Sequence, residues 1–334
     1  MKTNDIKRII VSRTDSIGDV ILTLPLCVWI KKQFPEATLV FLARGYTIPV
    51  VSCFLPVDEI LDWDLLSNLP SAEKIERIKS DCIIHVFPNS EIASLAKKAK
   101  IPFRIGTSHR TFHFLSCNIK VNFSRKNSPL HEAQLNFELA RPLGLKVIPS
   151  LEELMDQRPN FIVPVNTFPN PIAKIELCQA IVLHPKSQGS ALEWPIEKYL
   201  ELANELVNSG KVVLITGTEA EGLLIRDRFT FSPQLIDVTG RLSLSQMISL
   251  LSEVKVAVAC STGPIHIKSI IGGNAIALFA TRRPIHPGRW RPLGLKSTVL
   301  VFDENCPGCK KSKSCRCLEN ISVANVLNFI NEIG

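Results

Sequence analysis

The chain has 334 residues, of which 46% are hydrophobic, and it carries a formal net charge of +8. This length favours two domains of ordinary size. No run reaches the ~18 consecutive apolar residues of a membrane-spanning helix, and the first apolar run is too short for a signal-peptide core, so we expect a cytosolic protein. The positive charge fits an anionic partner. No nucleic acid is expected, because the aromatic residues do not alternate with the basic ones as in RNA-binding sequences.

In the first part of the chain, short runs of β-branched residues alternate with longer amphipathic runs. Strands separated by helix-length segments form a parallel sheet covered on both faces, so this part predicts a doubly wound α/β domain. The predicted strands are 7–12, 37–43, 58–62, 81–87 and 102–106. The predicted helices are 19–33, 46–54, 71–79, 89–99 and 131–145.

A stretch rich in proline and asparagine, 156–177, interrupts this alternation and predicts a linker between an N-terminal domain, 1–155, and a C-terminal domain, 178–334. The predicted strands of the second domain are 179–184, 211–216, 235–238, 255–259, 274–279 and 298–302. Its predicted helices are 195–208, 219–229, 243–253, 264–271 and 321–333. Whether the last helix packs on the N-terminal domain stays open. Two doubly wound, Rossmann-like domains in succession predict a cleft between the carboxyl-terminal edges of two facing sheets, where such sheets bind ligands.

The strongest local pattern is CSTGPIHIKS, in which a buried strand runs directly into a helix. Gly263 allows a ligand to approach the backbone, and the free N–H groups at the start of the helix attract a phosphate. Ser261, Thr262 and His266 belong to this candidate anion site, and Lys268 lies close behind them. The alternative is an ordinary helix that Thr262 caps and Pro264 begins, with His266 in the core.

Two further loops follow strands of the second domain. Hydroxyl, glycine and amine groups in the first loop suit a phosphate, and they come from Lys186, Ser187, Gly189 and Ser190. The second loop contains Thr216 and Gly217, and it lies beside the first in any doubly wound order. The alternative for both is a simple connection without a ligand.

Several common nucleotide and hydrolase motifs are missing from the sequence. No G-x-G-x-x-G follows the first strand and no G-x4-G-K-[ST] occurs, which disfavours a nicotinamide dehydrogenase and a P-loop ATPase. No G-x-S-x-G nucleophile elbow is present.

The turn after the first strand, RTDSIGDVILTLP, has the strand–turn–helix pattern of a phosphate site but carries a carboxylate, Asp19. A carboxylate would repel a phosphate, so this turn needs another explanation. One interpretation is that Asp19 caps the helix, which stabilises a helix by about 1 kcal/mol.

Three segments of the chain, in the same order, resemble those of the family 9 glycosyltransferases, the ADP-heptose:lipopolysaccharide heptosyltransferases. RIIVSRTDSIGDVILTLPLCVWIKKQFPEATLVFLAR is similar to their N-terminal segment, with its Gly-Asp pair, Leu-Pro and FP-x-A. HPKSQGSALEWPIEKYLELANEL resembles their His-Pro-Gly-Ser and Trp-Pro stretch. STGPIHIKSIIGGNAIALFATRRPIHPGRWRPLG resembles their [Asp/Ser]-[Ser/Thr]-Gly-Pro-x-His segment.

The resemblance implies a GT-B architecture, in which the N-terminal domain binds the acceptor and the C-terminal domain binds a nucleotide-sugar donor such as ADP-heptose. It implies inverting transfer of a heptose, or a similar sugar, to a lipopolysaccharide core or related glycan, with no metal or cofactor required. Asp19 matches the catalytic aspartate and would accept the proton of the acceptor hydroxyl. Arg13, Ser16 and Gly18 surround it as acceptor-side candidates. The basic surface would meet anionic lipid at the inner face of the inner membrane.

Two positions depart from the family pattern. Ser261 stands where many members carry Asp, and Leu192 stands where they often carry Lys or Arg for the diphosphate. Lys186 is a candidate to supply that charge from the other side of the loop. These departures keep two alternatives open, a non-catalytic member that binds a nucleotide sugar or glycan and a GT-B-like sugar-nucleotide epimerase.

Four of the ten cysteines cluster near the C-terminus in the pattern C-x2-C-x5-C-x-C, at Cys306, Cys309, Cys315 and Cys317. Four thiolates at such spacing fit a tetrahedral zinc site. The preferred alternative involves no metal and is a reduced surface loop or an occasional disulfide.

Overall fold

The computed structural model describes residues 5–126, 128–311 and 315–333. The chain divides into two compact units. The first unit comprises the chain up to Leu154 and also Asn160–Ile162, and the second comprises Met155–Pro159 and the chain from Val163 onward. Each unit contains one parallel sheet, with six strands among the described residues. The predicted α/β fold class with two doubly wound sheets is therefore confirmed.

The sheet of the first unit has the order β3-β2-β1-β4-β5-β6. Its strands are β1 (Arg8–Ser12), β2 (Thr38–Ala43), β3 (Glu59–Asp62), β4 (Cys82–His85), β5 (Phe103–Thr107) and β6 (Ile119–Val121). Ile9, Ile10 and Val11 in the central strand are fully buried, because helices cover both faces of a doubly wound sheet. The strand order reverses between β1 and β4, and such a reversal opens a crevice at the carboxyl ends of the two strands.

The helices of the first unit are α1 (Ile17–Ile21), α2 (Leu24–Gln33), α3 (Ile48–Val51), α4 (Trp63–Leu66), α5 (Ser71–Arg77), α6 (Ser90–Lys98), α7 (Thr111–Ser116) and α8 (Glu132–Phe137). The single helix predicted at 19–33 is wrong, because Leu22 and Thr23 separate α1 from α2. The amide of Asn136 stabilises this break by donating to the Leu22 carbonyl at 3.0 Å and to the Thr23 hydroxyl at 3.2 Å.

The sheet of the second unit repeats the same topology, in the order β12-β11-β10-β7-β8-β9. Its strands are β7 (Ile181–His184), β8 (Val213–Ile215), β9 (Leu235–Asp237), β10 (Val256–Cys260), β11 (Asn274–Phe279) and β12 (Ser297–Val301). The strand order here reverses between β7 and β10, so the corresponding crevice opens where these two strands end.

The helices of the second unit are α9 (Ile196–Asn208), α10 (Glu219–Gly222), α11 (Leu244–Glu253), α12 (Gly263–Ile270), α13 (Pro287–Trp290), α14 (Pro307–Lys311), α15 (Cys317–Asn320) and α16 (Val323–Glu332). The helix predicted at 219–229 is much shorter than expected and ends at Gly222. The terminal helix α16 packs on α9 of its own unit, where Val323, Val326 and Ile330 join the hydrophobic core.

Candidate functional site

In the first unit, the candidate residues follow β1 at the reversal of the strand order. Ser12, the last residue of β1, is the register partner of His85, the last residue of β4. The segment that begins at Arg13 therefore enters the crevice between these two strand ends. This is the position at which doubly wound sheets bind ligands.

Arg13 is the centre of an ion-pair cluster. Its side chain is only 4% exposed, and its Nε donates to Asp15 at 2.7 Å. The guanidinium also binds Asp19 and lies 3.4 Å from a carboxylate oxygen of the buried Glu132. Burial lowers the pKa of Arg13, but Asp15, Asp19 and Glu132 outweigh burial and raise it. The arginine is thus a fixed positive charge that holds the carboxylates around it.

Asp19 lies in the first turn of α1 and retains 17% exposure of its side chain. It is not the helix N-cap, because that position belongs to Ser16. The Ser16 hydroxyl and the Arg13 guanidinium each donate to one carboxylate oxygen of Asp19. Gly18 lies inside α1 instead of in a preceding turn. Two donors therefore orient Asp19, while each of its oxygens keeps a lone pair for another proton donor.

Asp15 is a second carboxylate of this cluster, which the sequence reasoning missed. Burial and the neighbouring charge of Asp19 raise its pKa to about 6, against the opposing effect of Arg13. Its side chain is 20% exposed, and its backbone carbonyl accepts a hydrogen bond from the Tyr46 hydroxyl at 2.7 Å. The raised pKa brings the titration of Asp15 closer to neutral pH than that of an ordinary aspartate.

Behind the ion pairs lies a group of buried polar atoms. Within the described part of the chain, the Ser12 and Thr14 hydroxyls, both ring nitrogens of His85 and the Nε2 of His113 have no hydrogen-bond partner. The two imidazole rings lie 5.6 Å apart between centroids. Burial, with smaller effects of His113 and Arg104, lowers the pKa of His85 to about 3. His85 is therefore neutral at physiological pH, and unpaired polar atoms of this kind are found where ligands or ordered water bind.

In the second unit, strand register brings the three predicted loops to one edge of the sheet. Ala259 of β10 pairs with His184 of β7, and Leu183 of β7 pairs with Ile215 of β8. The loops that follow these strands are therefore neighbours, as the doubly wound order predicts.

The first turn of α12 is the candidate anion site of this unit that the geometry favours most. Thr262 occupies the N-cap position, but its side chain makes no capping hydrogen bond. Its buried hydroxyl has no hydrogen-bond partner among the described residues. Thr262 therefore holds the expected N-cap position without a side-chain bond, and Pro264 is the second helical residue after Gly263 instead of the first. Ser261 lies partly exposed directly before them. Uncapped N–H groups and a free hydroxyl suit an anionic ligand.

Of the two basic residues behind this turn, Lys268 does not lie where the anion site would need it, whereas His266 is buried, as the alternative interpretation expects. Lys268 is 1% exposed, and its amine donates to the carbonyls of Leu251 at 2.8 Å and Val254 at 2.6 Å. It therefore stabilises the C-terminal end of α11 and does not face an anion at the start of α12. His266 is buried, with 2% exposure.

The carboxylate of Glu193 binds two residues of the loop after β7 and so fixes the conformation of that loop. Lys186 forms an ion pair with Glu193, and the backbone N–H of Ser187 donates to the same carboxylate at 2.8 Å. Burial raises the pKa of Glu193, but its bonds with Lys186 and Ser187 outweigh burial and lower it. Gly189 has a φ of +77°, which glycine adopts without strain, and Ser190 is exposed beside it. The charge of Lys186 is thus already compensated within the loop.

The turn after β8 is less suited to a phosphate than the sequence suggests. Thr216 is fully buried, and its hydroxyl lies 3.1 Å from Nδ1 of His184. Gly217 follows, and Thr218 caps α10 together with Glu221, whose carboxylate accepts the Thr218 N–H at 2.7 Å. A protein carboxylate therefore already occupies this helix start. Thr216 positions His184, and we exclude its side chain from the candidate ligand contacts.

The four clustered cysteines lie close together, in agreement with their spacing. The sulfur atoms of Cys306, Cys309, Cys315 and Cys317 all lie within 4.8 Å of one another. All four are free thiols, not disulfide-bonded.

Comparison with known proteins identifies the family. Residues 72–319 match the family model of glycosyltransferase family 9 (heptosyltransferase). The chain belongs to glycosyltransferase family 9. It is therefore a glycosyltransferase, as expected, and the non-catalytic and epimerase alternatives are set aside. The matched region begins after Asp19, so the family match leaves the role of that residue a prediction.

Three relatives extend the similarity over the whole chain. The lipopolysaccharide core heptosyltransferase OpsX of Haemophilus influenzae is 22% identical, and the alignment covers 98% of this chain and 97% of OpsX. The structure of E. coli ADP-heptose lps heptosyltransferase II is 17% identical, with a TM-score of 0.75 and coverage of 98% of each chain. The E. coli heptosyltransferase WaaC with ADP has a TM-score of 0.70 at 17% identity, covering 98% of this chain and 100% of WaaC. These structures confirm the GT-B fold class.

Among the described residues, no helix is both long and apolar enough to cross a membrane.

Proposed function

We propose that this family 9 enzyme transfers a heptose from ADP-heptose to a lipopolysaccharide core or related glycan, with inversion of the anomeric centre. The main observation that supports this proposal is the position of Asp19. It is a partly exposed carboxylate that Arg13 and Ser16 orient where the strand order of the first sheet reverses. Support for the sugar and acceptor comes from the similarity to OpsX, which is named a lipopolysaccharide core heptosyltransferase. The similarity to WaaC, solved with ADP, supports the nucleotide.

In the proposed reaction, Asp19 acts as the general base. The acceptor hydroxyl oxygen forms a bond to the anomeric carbon as the bond from that carbon to the diphosphate oxygen breaks. The hydroxyl proton passes to Asp19, and the electron pair of the broken bond leaves with ADP. Arg13 and Ser16 fix the direction of the carboxylate, and Gly18 lies beside it in α1. No step of this reaction is assigned to a metal or cofactor.

We assign donor binding to the second unit and acceptor binding to the first. The uncapped start of α12 and the free Thr262 hydroxyl suit the diphosphate, and N–H groups directed at the leaving oxygens would stabilise their developing charge. Ser187, Gly189, Ser190 and Gly217 lie on neighbouring loops of the same sheet edge. Ser261 adjoins this site at the position where many family members carry Asp.

We also propose that the enzyme works in the cytoplasm, at the inner face of the inner membrane. The supporting observation is the net charge of +8, because a basic surface is attracted to anionic headgroups and to a phosphorylated lipid acceptor. Flotation with vesicles that contain anionic lipid, compared with neutral vesicles, tests this proposal. Equal recovery with both vesicle types would contradict it.

The base is tested by Asp19→Asn, with Asp15→Asn as the matched control from the same cluster. Removal of a general base lowers the rate by about 10²–10⁴-fold, so transfer from ADP-heptose to a core-truncated lipopolysaccharide should fall by that factor in Asp19→Asn. Asp15→Asn should retain transfer within about tenfold, because Asp15 contributes through Arg13 and not by proton transfer. The affinity for ADP should be unchanged in both variants. A larger loss of transfer in Asp15→Asn than in Asp19→Asn would show that Asp15, and not Asp19, is the general base.

A further inference from the structure

The cysteine cluster is much tighter than packing of unrelated thiols would require. The sulfur of Cys315 lies 3.4 Å from that of Cys306 and 3.3 Å from those of Cys309 and Cys317. All four sulfur atoms lie within 4.8 Å of one another, so each faces the other three. Thiols are weak hydrogen-bond donors and acceptors, and mutual S–H···S contacts therefore give little reason for four cysteines to converge.

These separations fit one tetrahedral metal ion. With metal–sulfur bonds of about 2.3 Å, neighbouring sulfurs of a tetrahedral site lie about 3.8 Å apart. Three pairs are 3.3–3.4 Å apart, a few tenths of an ångström closer than this value, and all pairs lie within 4.8 Å, so the four sulfurs could hold one ion after a small adjustment. A disulfide needs about 2.05 Å between its sulfurs, so no pair of the four is bonded.

The surrounding backbone favours the same arrangement. Gly308 lies between the first two cysteines, and a Cβ atom there would come within 3.3 Å of the Cys315 sulfur. A larger residue at this position would crowd the sulfurs. Cys309 and Cys317 are 6% and 4% exposed, so two of the four ligands are shielded from water. Short ligand spacings such as C-x2-C are typical of structural zinc sites.

We propose that Cys306, Cys309, Cys315 and Cys317 bind one thiophilic divalent ion, zinc or iron, as four thiolates. Four sulfur ligands select zinc or iron over hard cations such as Mg²⁺. They also fill the coordination shell, which is the arrangement of structural sites and leaves no position for a substrate.

The ion would fasten the segment after β12 to the core of the second unit. Cys309, Cys317, Leu318 and Ile321 all belong to the hydrophobic core that also contains Trp194. The Ile321 carbonyl accepts hydrogen bonds from the Trp194 indole at 3.1 Å and from the Lys198 amine at 2.7 Å. Trp194 in turn follows Glu193, which closes the loop after β7. The site therefore stabilises the region beneath the candidate donor loop, a consequence that rests on the proposed function.

Metal analysis of the purified full-length protein tests the site without any activity assay. We expect about one equivalent of zinc or iron per chain, the number that one four-thiolate site holds. The Cys315→Ser variant should lose most of this metal, because Cys315 is close to all three other sulfurs. Cys178→Ser is the matched control, since Cys178 is an exposed free thiol outside the cluster, and it should retain the metal. Growth in zinc-supplemented and iron-supplemented media distinguishes the two ions.

A second measurement covers the case in which Cys315→Ser does not fold. Wild-type protein is treated with a chelator under reducing conditions, its melting temperature is measured, and Co²⁺ is added back. We expect a fall in melting temperature on chelation, recovery with Co²⁺, and the intense visible absorption of tetrahedral Co²⁺ with thiolate ligands. Less than about a tenth of an equivalent of either metal in protein with reduced cysteines, or a disulfide between any two of the four, would overturn the proposal. Neither result would affect the proposed transferase activity.

Discussion

In the first unit, the crevice beside β1 contains side-chain charges, with Arg13 among three carboxylates and neutral His85 behind them. In the second unit, the Lys186–Glu193 ion pair fixes the loop after β7, and the start of α12 at the same sheet edge offers backbone N–H groups and the free Thr262 hydroxyl. The two sheets share one strand order, so topology does not determine this difference. The same fold provides an oriented carboxylate in one unit and an uncapped helix start with a free hydroxyl in the other, and our proposal assigns the first to the acceptor and the second to the donor.

The largest expected effect is on the charge cluster of the first unit. In Arg13→Met, Asp15, Asp19 and Glu132 lose their shared partner, and breaking a buried ion pair costs about 3–5 kcal/mol. Urea unfolding should show this loss. Arg44→Met is the control, because the Arg44–Asp64 pair is 46% and 41% exposed and exposed pairs contribute about 0–1 kcal/mol. Similar urea midpoints for the two variants would show that the Arg13 ion pairs stabilise the fold no more than an exposed pair does.

The second prediction concerns the pH dependence that His85 confers. The pKa of His85 is about 3 when folded and 6.5 at its ordinary value. Below pH 6.5 the unfolded chain binds a proton that the folded chain does not, so the stability present above pH 6.5 is lost as pH falls towards 3. Between pH 7 and pH 5 this loss is about 2 kcal/mol. In His85→Gln, the fall in unfolding free energy over this range should be smaller by that amount, and an unchanged slope would contradict burial of a neutral histidine.

The third prediction concerns the proposed anion site of the second unit. A hydrogen bond to a charged group contributes about 1.5 kcal/mol, so Thr262→Val should weaken ADP binding about tenfold. Calorimetric titration with ADP measures the change. The control is Thr216→Val, whose hydroxyl contacts His184 and should not affect ADP binding directly. Equal ADP affinity in wild type and Thr262→Val would show that this hydroxyl does not bind the donor.

The smallest effect is expected at Lys186. Because Lys186 is paired with Glu193, and such partly exposed pairs contribute about 0–1 kcal/mol, Lys186→Ala should change ADP affinity less than about fivefold. The same titration measures it. A loss of tenfold or more would show that Lys186 leaves Glu193 to meet the diphosphate.

The sequence predicted eleven of the twelve described strands, because buried parallel strands are continuous apolar runs. It also predicted that the candidate loops of the second unit are neighbours at one sheet edge. It missed β6, which has only three residues with no apolar run. The roles of Glu132 and Lys268 could not be predicted from it either. Glu132 meets Arg13 across 119 residues, and the Lys268 amine meets the end of another helix. Such contacts depend on tertiary packing and have no local pattern.

The predicted linker also belongs in part to the first unit. Asn160–Ile162 is assigned to that unit. The centroid of the Phe161 ring lies 5.1 Å from that of the Phe54 ring. The N–H of Leu55 donates to the Asn160 carbonyl, and the N–H of Ile162 donates to the Cys53 carbonyl. A truncation at residue 155 would therefore expose Phe54 and remove two backbone hydrogen bonds. For expression of the first unit alone, the chain must continue through Ile162 and so carry Met155–Pro159 from the other unit.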